Sequence, residues 1–294
     1  MPGGEELEAA EEASFSSLTA GLVQDILRHL DLKGQGRAAC VSKLCASAVE
    51  PLAPALAHYV TAGDALAVWR LLQKQDARLG LDNPSCANGM TPLLMAVFQG
   101  NAEIFAALLK AGAATEARVF NSLTALMIAA AMGCGSMVEA LLAAGAALEA
   151  EDKHGRQPLH FAAENGHAST VEALLAAGAM PEAREKKGYR PLDLAALKGH
   201  ASTLEALLAA GAALEAADKD GARVLHYSAA NGHVSAVEAL LAAGAVREAE
   251  HRGGRRPLHV ALCNGVSHEL PAGIIPPCLR RISATLCRIQ EFHS

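Results

Sequence analysis

Apolar and polar positions along the chain follow one beat. It is carried by a glycine: Gly100, Gly133, Gly166, Gly199, Gly232 and Gly265 stand 33 residues apart. A leucine precedes each by seven residues: Leu93, Leu126, Leu159, Leu192, Leu225 and Leu258. A leucine pair follows the first five at eight and nine residues, as in Leu108–Leu109 and Leu174–Leu175. A fixed period of this length marks a chain of stacked copies of one supersecondary unit. The stretch 152–179, DKHGRQPLHFAAENGHASTVEALLAAGA, shows the unit. Asp152-Lys-His-Gly155 predicts a turn, because Gly accepts positive φ and Asp bonds its own nearby backbone. Pro158 suits a first helical position, where a missing N–H costs nothing. Leu159, Ala162 and Ala163 make one apolar stripe, and Asn165-Gly166 ends the helix with a left-handed cap. A second helix is predicted from about Ala168 to Ala177, with Val171, Leu174 and Leu175 on one face and Gly178 as its cap. Both helices are shorter than the roughly 12–15 residues an isolated helix needs. They are expected to stand only by burying each other's stripes in a stack.

The unit resembles the ankyrin repeat. The likeness rests on P-L-H-x-A-A at Pro158 to Ala163, N-G-H at Asn165 to His167, and L-L-x-x-G-A at Leu174 to Ala179, at that family's period. It covers about Leu56 to Asn264. It implies an all-α fold, a solenoid of helix pairs with β-turn fingers along one edge, and a protein that binds other proteins. Full copies are expected to start near Cys86, Val119, Asp152, Glu185 and Asp218. A degenerate first copy surrounds Gly63, and a shortened seventh starts near His251. Gly63 and Gly100 are 37 residues apart, which predicts an insertion in the finger around Arg78 to Ser85.

Residues ahead of the stack leave the beat. LTAGLVQDILRHLDLKGQGRAACVSKLC, beginning at Leu18, resembles an F-box. Leu18, Leu22, Val23, Ile26, Leu27, Leu30 and Asp31 match that family's pattern in place, and Val41-Ser-Lys43 follows at the matching distance. Thr19, Gly21, Gly34, Gln35 and Cys45 depart from it. The resemblance implies that Leu18, Leu22, Ile26, Leu30 and Val41 face the adaptor subunit of a cullin-type (SCF) ubiquitin ligase. The plain alternative is an unrelated helical cap on the first repeat, since terminal repeats need covering. Four segments result: an acidic tail expected to be disordered (1–14), a small F-box-like helical domain (15–50), about seven repeats with the first and last degenerate (51–270), and a capping helix (271–294). Trp69 is expected to pack against the N-terminal domain.

Composition narrows the function. The 294 residues carry a net charge of −6, which argues against a nucleic-acid partner. Aromatics make up 3% against 51% apolar residues, which suits close Ala/Leu packing of short helices. Seven cysteines without a C-x-x-C pair predict reduced thiols, hence a cytoplasmic and also a nuclear setting. No secretory leader or membrane span is expected, and the chain is expected to act as a monomer.

No catalytic chemistry is expected, and neither a cofactor nor a metal. His160, His226 and His259, and likewise His167, His200 and His233, recur with the repeat. Stacked helices lie about 8–10 Å apart, too far for neighbouring copies to share one zinc at about 2 Å. These histidines are expected to tie turn backbone to helix starts. Thr91 and Thr124 keep the family's threonine at the helix entry, but Gln157, Arg190, Arg223 and Arg256 replace it later, so the usual threonine–histidine bond cannot form there. Glu139, Glu172, Glu205 and Glu238 are expected to solvate the outer face. The positions that the repeat leaves unassigned are the informative ones. They are apolar in the second and third copies, at Met90, Phe98, Phe120, Leu123 and Met132. They turn basic later, at Lys153, Arg156, Lys186, Lys187, Lys198, Arg252 and Arg255, with Tyr189 among them. The expected target is therefore a protein segment that is acidic and carries a hydrophobic anchor.

Overall fold

The computed structural model describes residues 55–72, 81–82 and 90–265. The acidic tail, the F-box-like domain with Leu18, Leu22, Ile26, Leu30 and Val41, the C-terminal helix and most of the expected insertion lie outside them. Two compact units are present, with the break between Lys153 and His154.

The first unit holds three helix pairs: α1 (Ala55–Thr61) and α2 (Ala65–Leu72), α3 (Pro92–Phe98) and α4 (Ala102–Lys110), α5 (Ala125–Ala131) and α6 (Gly135–Ala143). First helices stack on first helices, and second on second. The second unit repeats this with α7 (Pro158–Asn165) and α8 (Ala168–Ala176), α9 (Pro191–Lys198) and α10 (Ala201–Ala209), α11 (Val224–Ala230) and α12 (Val234–Ala242), then α13 (Pro257–Cys263). Helices α7 and α8 fall within a residue of the span predicted from the apolar pattern. Among the described residues there is no named strand, only one isolated bridge between Val119 and Leu123.

The core has two layers of different character. First helices are sandwiched: every residue of α3 and α5 is buried. Their short apolar sequences, PLLMAVF and ALMIAAA, let backbones approach closely. Second helices bury only a stripe, such as Val171 and Leu174 in α8 or Val237 and Leu240 in α12. The leucine pair is therefore divided. Leu174, Leu207 and Leu240 are buried, while Leu175, Leu208 and Leu241 are half-buried, because successive helical residues point about 100° apart. Glu139, Glu172, Glu205 and Glu238 are exposed on the far face, as expected.

The marker glycine has two physical reasons at Gly166 and Gly199. Gly166 and Gly199 close α7 and α9 in the left-handed region, at φ 78° and 80°. A Cβ at Gly166 would also meet the His200 ring at 2.5 Å, and one at Gly199 the His233 ring at 2.6 Å. Each ring reaches back one repeat. His200 Nε2 lies 3.0 Å from the Glu164 carbonyl, and His233 Nε2 3.0 Å from that of Leu197. At Gly166 and Gly199 the 33-residue beat is thus a contact between copies as well as a turn within each, whereas a Cβ at Gly100 or Gly265 would meet nothing within 4 Å.

Candidate protein-binding surface

Helix entry sets how each finger is held. In the first unit, Thr91 and Thr124 accept the N–H groups of Leu94 and Met127 through Oγ1, each at 3.4 Å. In the second unit the bond runs the other way. An entry arginine has no side-chain acceptor, and there, as at Gln157, the third helical residue turns back to the entry backbone. His160, His226 and His259 accept the N–H of Gln157, Arg223 and Arg256 through Nδ1, at 3.2, 3.2 and 3.3 Å. Asp193 accepts the N–H of Arg190 at 3.0 Å. The histidine role expected from the pattern is met, by a route that needs no threonine.

The entry arginines then anchor the fingers. Each pairs with a glutamate eight residues before it: Arg190 with Glu182, Arg223 with Glu215, Arg256 with Glu248. The other oxygen of Glu182 accepts the Ala213 N–H at 2.8 Å, and that of Glu215 the Val246 N–H at 2.8 Å, one repeat on. Glu116 does the same for Ala147 in the first unit, at 2.9 Å. Sequence reading missed these clamps, although the glutamates share the 33-residue period. Arg190 is the extreme case, its side chain 1% exposed. It binds both oxygens of Asp193 at 3.0 and 2.9 Å, and donates to the Ala213 and Ala216 carbonyls at 3.1 and 3.0 Å. Burial works against its charge, but the Asp193 and Glu182 carboxylates outweigh it and hold the guanidinium above its ordinary range.

The candidate binding residues divide on this frame. In the first unit Met90, Phe98 and Leu123 are buried, not open to a ligand as expected. Met90 and Leu123 sit at the foot of fingers, just before the entry threonines, and Phe98 ends α3; at both places the apolar residue is drawn into the core. Phe120 and Met132 stay partly exposed, with the Phe120 ring edge-on to Phe98 at 6.4 Å. Phe120 and Ser122 hold positive φ, 45° and 69°, in a finger without glycine. Lys153 is exposed.

In the second unit Arg156 is not the open cation expected. Its side chain is 12% exposed, paired with Glu164 at 3.3 Å and lying over the Phe161 ring at 4.4 Å. Lys198 is exposed but 3.8 Å from the same Glu164. Lys186, Lys187, Arg252 and Arg255 are exposed on the fingers. Tyr189 is half-buried, edge-on to Tyr227 at 5.6 Å. Tyr227 donates to Asp218, whose other oxygen caps Asp220 and Ala222, both at 2.8 Å. Burial first, then Asp218, pushes the Tyr227 hydroxyl far above its usual range. Burial pushes the Asp218 carboxyl up too, but bonds from Tyr227, Ala222 and Asp220 outweigh it and hold the carboxyl below its usual range.

Stacked helix pairs, left-handed glycine closures and fingers clamped across copies agree with the family model for ankyrin repeats, which matches residues 56–152, 126–218 and 192–270 in three overlapping copies. The chain belongs to the ankyrin repeat family. Ankyrin repeats are protein–protein interaction modules, so its partners are proteins. No curated protein matches the chain. Among the described residues no helix is long and apolar enough to cross a membrane. Trp69 is 53% exposed, and the N-terminal domain on which it is expected to pack lies outside the described residues.

Proposed function

We propose that the chain recruits target proteins to a cullin-type ubiquitin ligase, with about seven ankyrin repeats holding the target and the N-terminal segment docking on the ligase adaptor. The docking half is supported by the register of Leu18, Leu22, Ile26, Leu30 and Val41 and by Val41-Ser-Lys43 at its matching distance. The target half is carried by one observation. A chain of net charge −6 exposes Lys186, Lys187, Lys219, Arg252 and Arg255 on successive fingers of one unit. Such a surface suits an acidic protein segment, and exposed charges of this kind steer association. In the first unit, partly exposed Phe120 and Met132 suit an apolar residue of a target. The reading places the chain in the cytoplasm or nucleus, as a monomer.

Affinity purification tests the ligase link. Recovery of the adaptor and cullin with the full chain, lost on Leu22→Ala with Ile26→Ala while the repeats stay folded by circular dichroism, is the expected result. Their absence at good expression would leave a scaffold or adaptor with no ligase link. That second reading is favoured by the departures at Thr19, Gly21 and Cys45.

A further inference from the structure

The fingertips of the second unit repeat one local arrangement. Lys186, Lys219 and Arg252 stand 33 residues apart at the same place in successive fingers, and all three are exposed. Each lies beside the glycine of the preceding finger: a Cβ at Gly155 would meet Lys186 Cγ at 3.4 Å, one at Gly188 Lys219 Cε at 3.9 Å, and one at Gly221 the Arg252 backbone nitrogen at 3.3 Å. Those glycines hold φ of 74°, 95° and 78°. Backbone bonds tie the first and third of these positions to the finger behind: Lys186 N–H donates to His154 at 2.9 Å, and Arg252 N–H to Asp220 at 2.7 Å. The cations are therefore rungs of a ladder whose spacing is that of the stacked helices below, about 8–10 Å.

We infer that Lys186, Lys219 and Arg252 bind a polyproline II segment of a partner protein that carries an acidic residue at every third position. This rests on the acidic-target reading above and narrows it. A polyproline II helix has three residues per turn and rises about 3.1 Å per residue, so every third side chain lies on one face, about 9 Å from the next. That matches the ladder. A β-strand does not: its third residue points to the opposite face, and its second lies only about 6.6 Å away. Local acids sharpen the choice. Asp218 is taken up by Tyr227 and its own turn, and Glu250 pairs with Arg256. Exposed Asp220 adjoins Lys219 and repels charge placed between the rungs. A polyproline II segment is also largely pre-ordered before binding, which lowers the entropic cost of laying it along the fingertips.

Two nonapeptides of equal composition and equal label test this on the full chain by fluorescence anisotropy, at low and at physiological salt. One is Glu-Pro-Pro repeated three times, and the other has its three glutamates contiguous. The spaced peptide is expected to bind at least about tenfold tighter, with both affinities falling as salt rises. Lys186→Gln, Lys219→Gln and Arg252→Gln together should remove the preference. Arg70→Gln with Lys110→Gln, exposed on α2 and α4 of the first unit, should keep it, and circular dichroism should be unchanged in both variants. Equal binding of the two peptides, weakened equally by the triple change, would overturn the ladder and leave the acidic-target reading standing. Binding of neither peptide at low salt would overturn both. Displacement of the spaced peptide by a short duplex RNA at lower concentration would also overturn the assignment to a protein segment.

Discussion

The two units share a backbone and differ in how they begin their first helices. In the first, Thr91 and Thr124 do the work with neutral hydroxyls. In the second, histidine or aspartate closes the entry from inside the helix, and arginine beside it binds finger carboxylates. The first solution is local and indifferent to pH. The second recruits charged groups from the finger behind and carbonyls from the copy ahead. A repeat can therefore keep its fold while exchanging a hydroxyl cap for a salt-bridged network, provided the partners change together. The copy starting near Glu185 shows this most clearly. Threonine has become Arg190 and the helix histidine has become Asp193, and the two side chains bind each other through two contacts.

Breaking that pair is the most severe test of the comparison. Asp193→Ala leaves the Arg190 charge buried with only Glu182 and two carbonyls, and removing one partner of a buried pair costs about 3–5 kcal/mol. Hydrogen exchange should show the loss in α9 to α13 with α3 to α6 less affected, since solenoid coupling is between neighbours. Arg190→Thr with Asp193→His, which restores the entry of the ankyrin pattern, should recover most of it. No recovery would mean that the network, and not the cap, holds this copy.

Gly166→Ala comes next. It places a Cβ in the left-handed region and against the His200 ring, with an expected cost of about 2 kcal/mol, read as a lower denaturant midpoint. The corresponding change at Gly178, with nothing within 4 Å of its Cβ, should cost less. Equal costs would show that the ring contact contributes nothing.

In the first unit, Thr124→Ala removes a hydroxyl cap and should cost about 1 kcal/mol, without altering the dependence of stability on salt. Ser122→Gly should act in the opposite direction. Ser122 holds φ 69° at the place that Gly155, Gly188 and Gly221 take in later copies. Relief of that strain, about 1–2 kcal/mol for a non-glycine residue, outweighs the added freedom of the unfolded chain by less than about 1 kcal/mol. A loss of stability would show that the serine side chain is needed there.

Acid is the mildest perturbation. Burial lowers the pKa of His200 and of His226, against bonds to the Glu164 and Arg255 carbonyls that favour the charged ring. His226 also faces His251 at 5.7 Å. The native second unit therefore holds fewer protons than its unfolded chain, so its stability rises with pH and falls as pH drops below the unfolded value of about 6.5. Exchange protection in the second unit should weaken between pH 7.5 and 5.5, and His226→Gln should flatten that slope. A slope untouched by the substitution would place the titrating group elsewhere.

The period, the helix limits, the turn positions and the solvated glutamates were legible in the chain, because each depends on residues a few positions apart. Period and local propensity give a repeat its outline whatever its neighbours are. The burial of Arg190 was not legible. Its partners come from a finger eight residues earlier and from carbonyls of Ala213 and Ala216 in the next copy, and an arginine reads as surface until its partners are known. The same holds for Met90, Phe98 and Leu123. Their apolar character does not say whether they line the core or an open surface, and packing drew them inward. Gly166 stands on both sides. Its closing of α7 was readable from Asn165-Gly166, but its second reason lies in His200, one repeat away, and only stacking brings that ring to it.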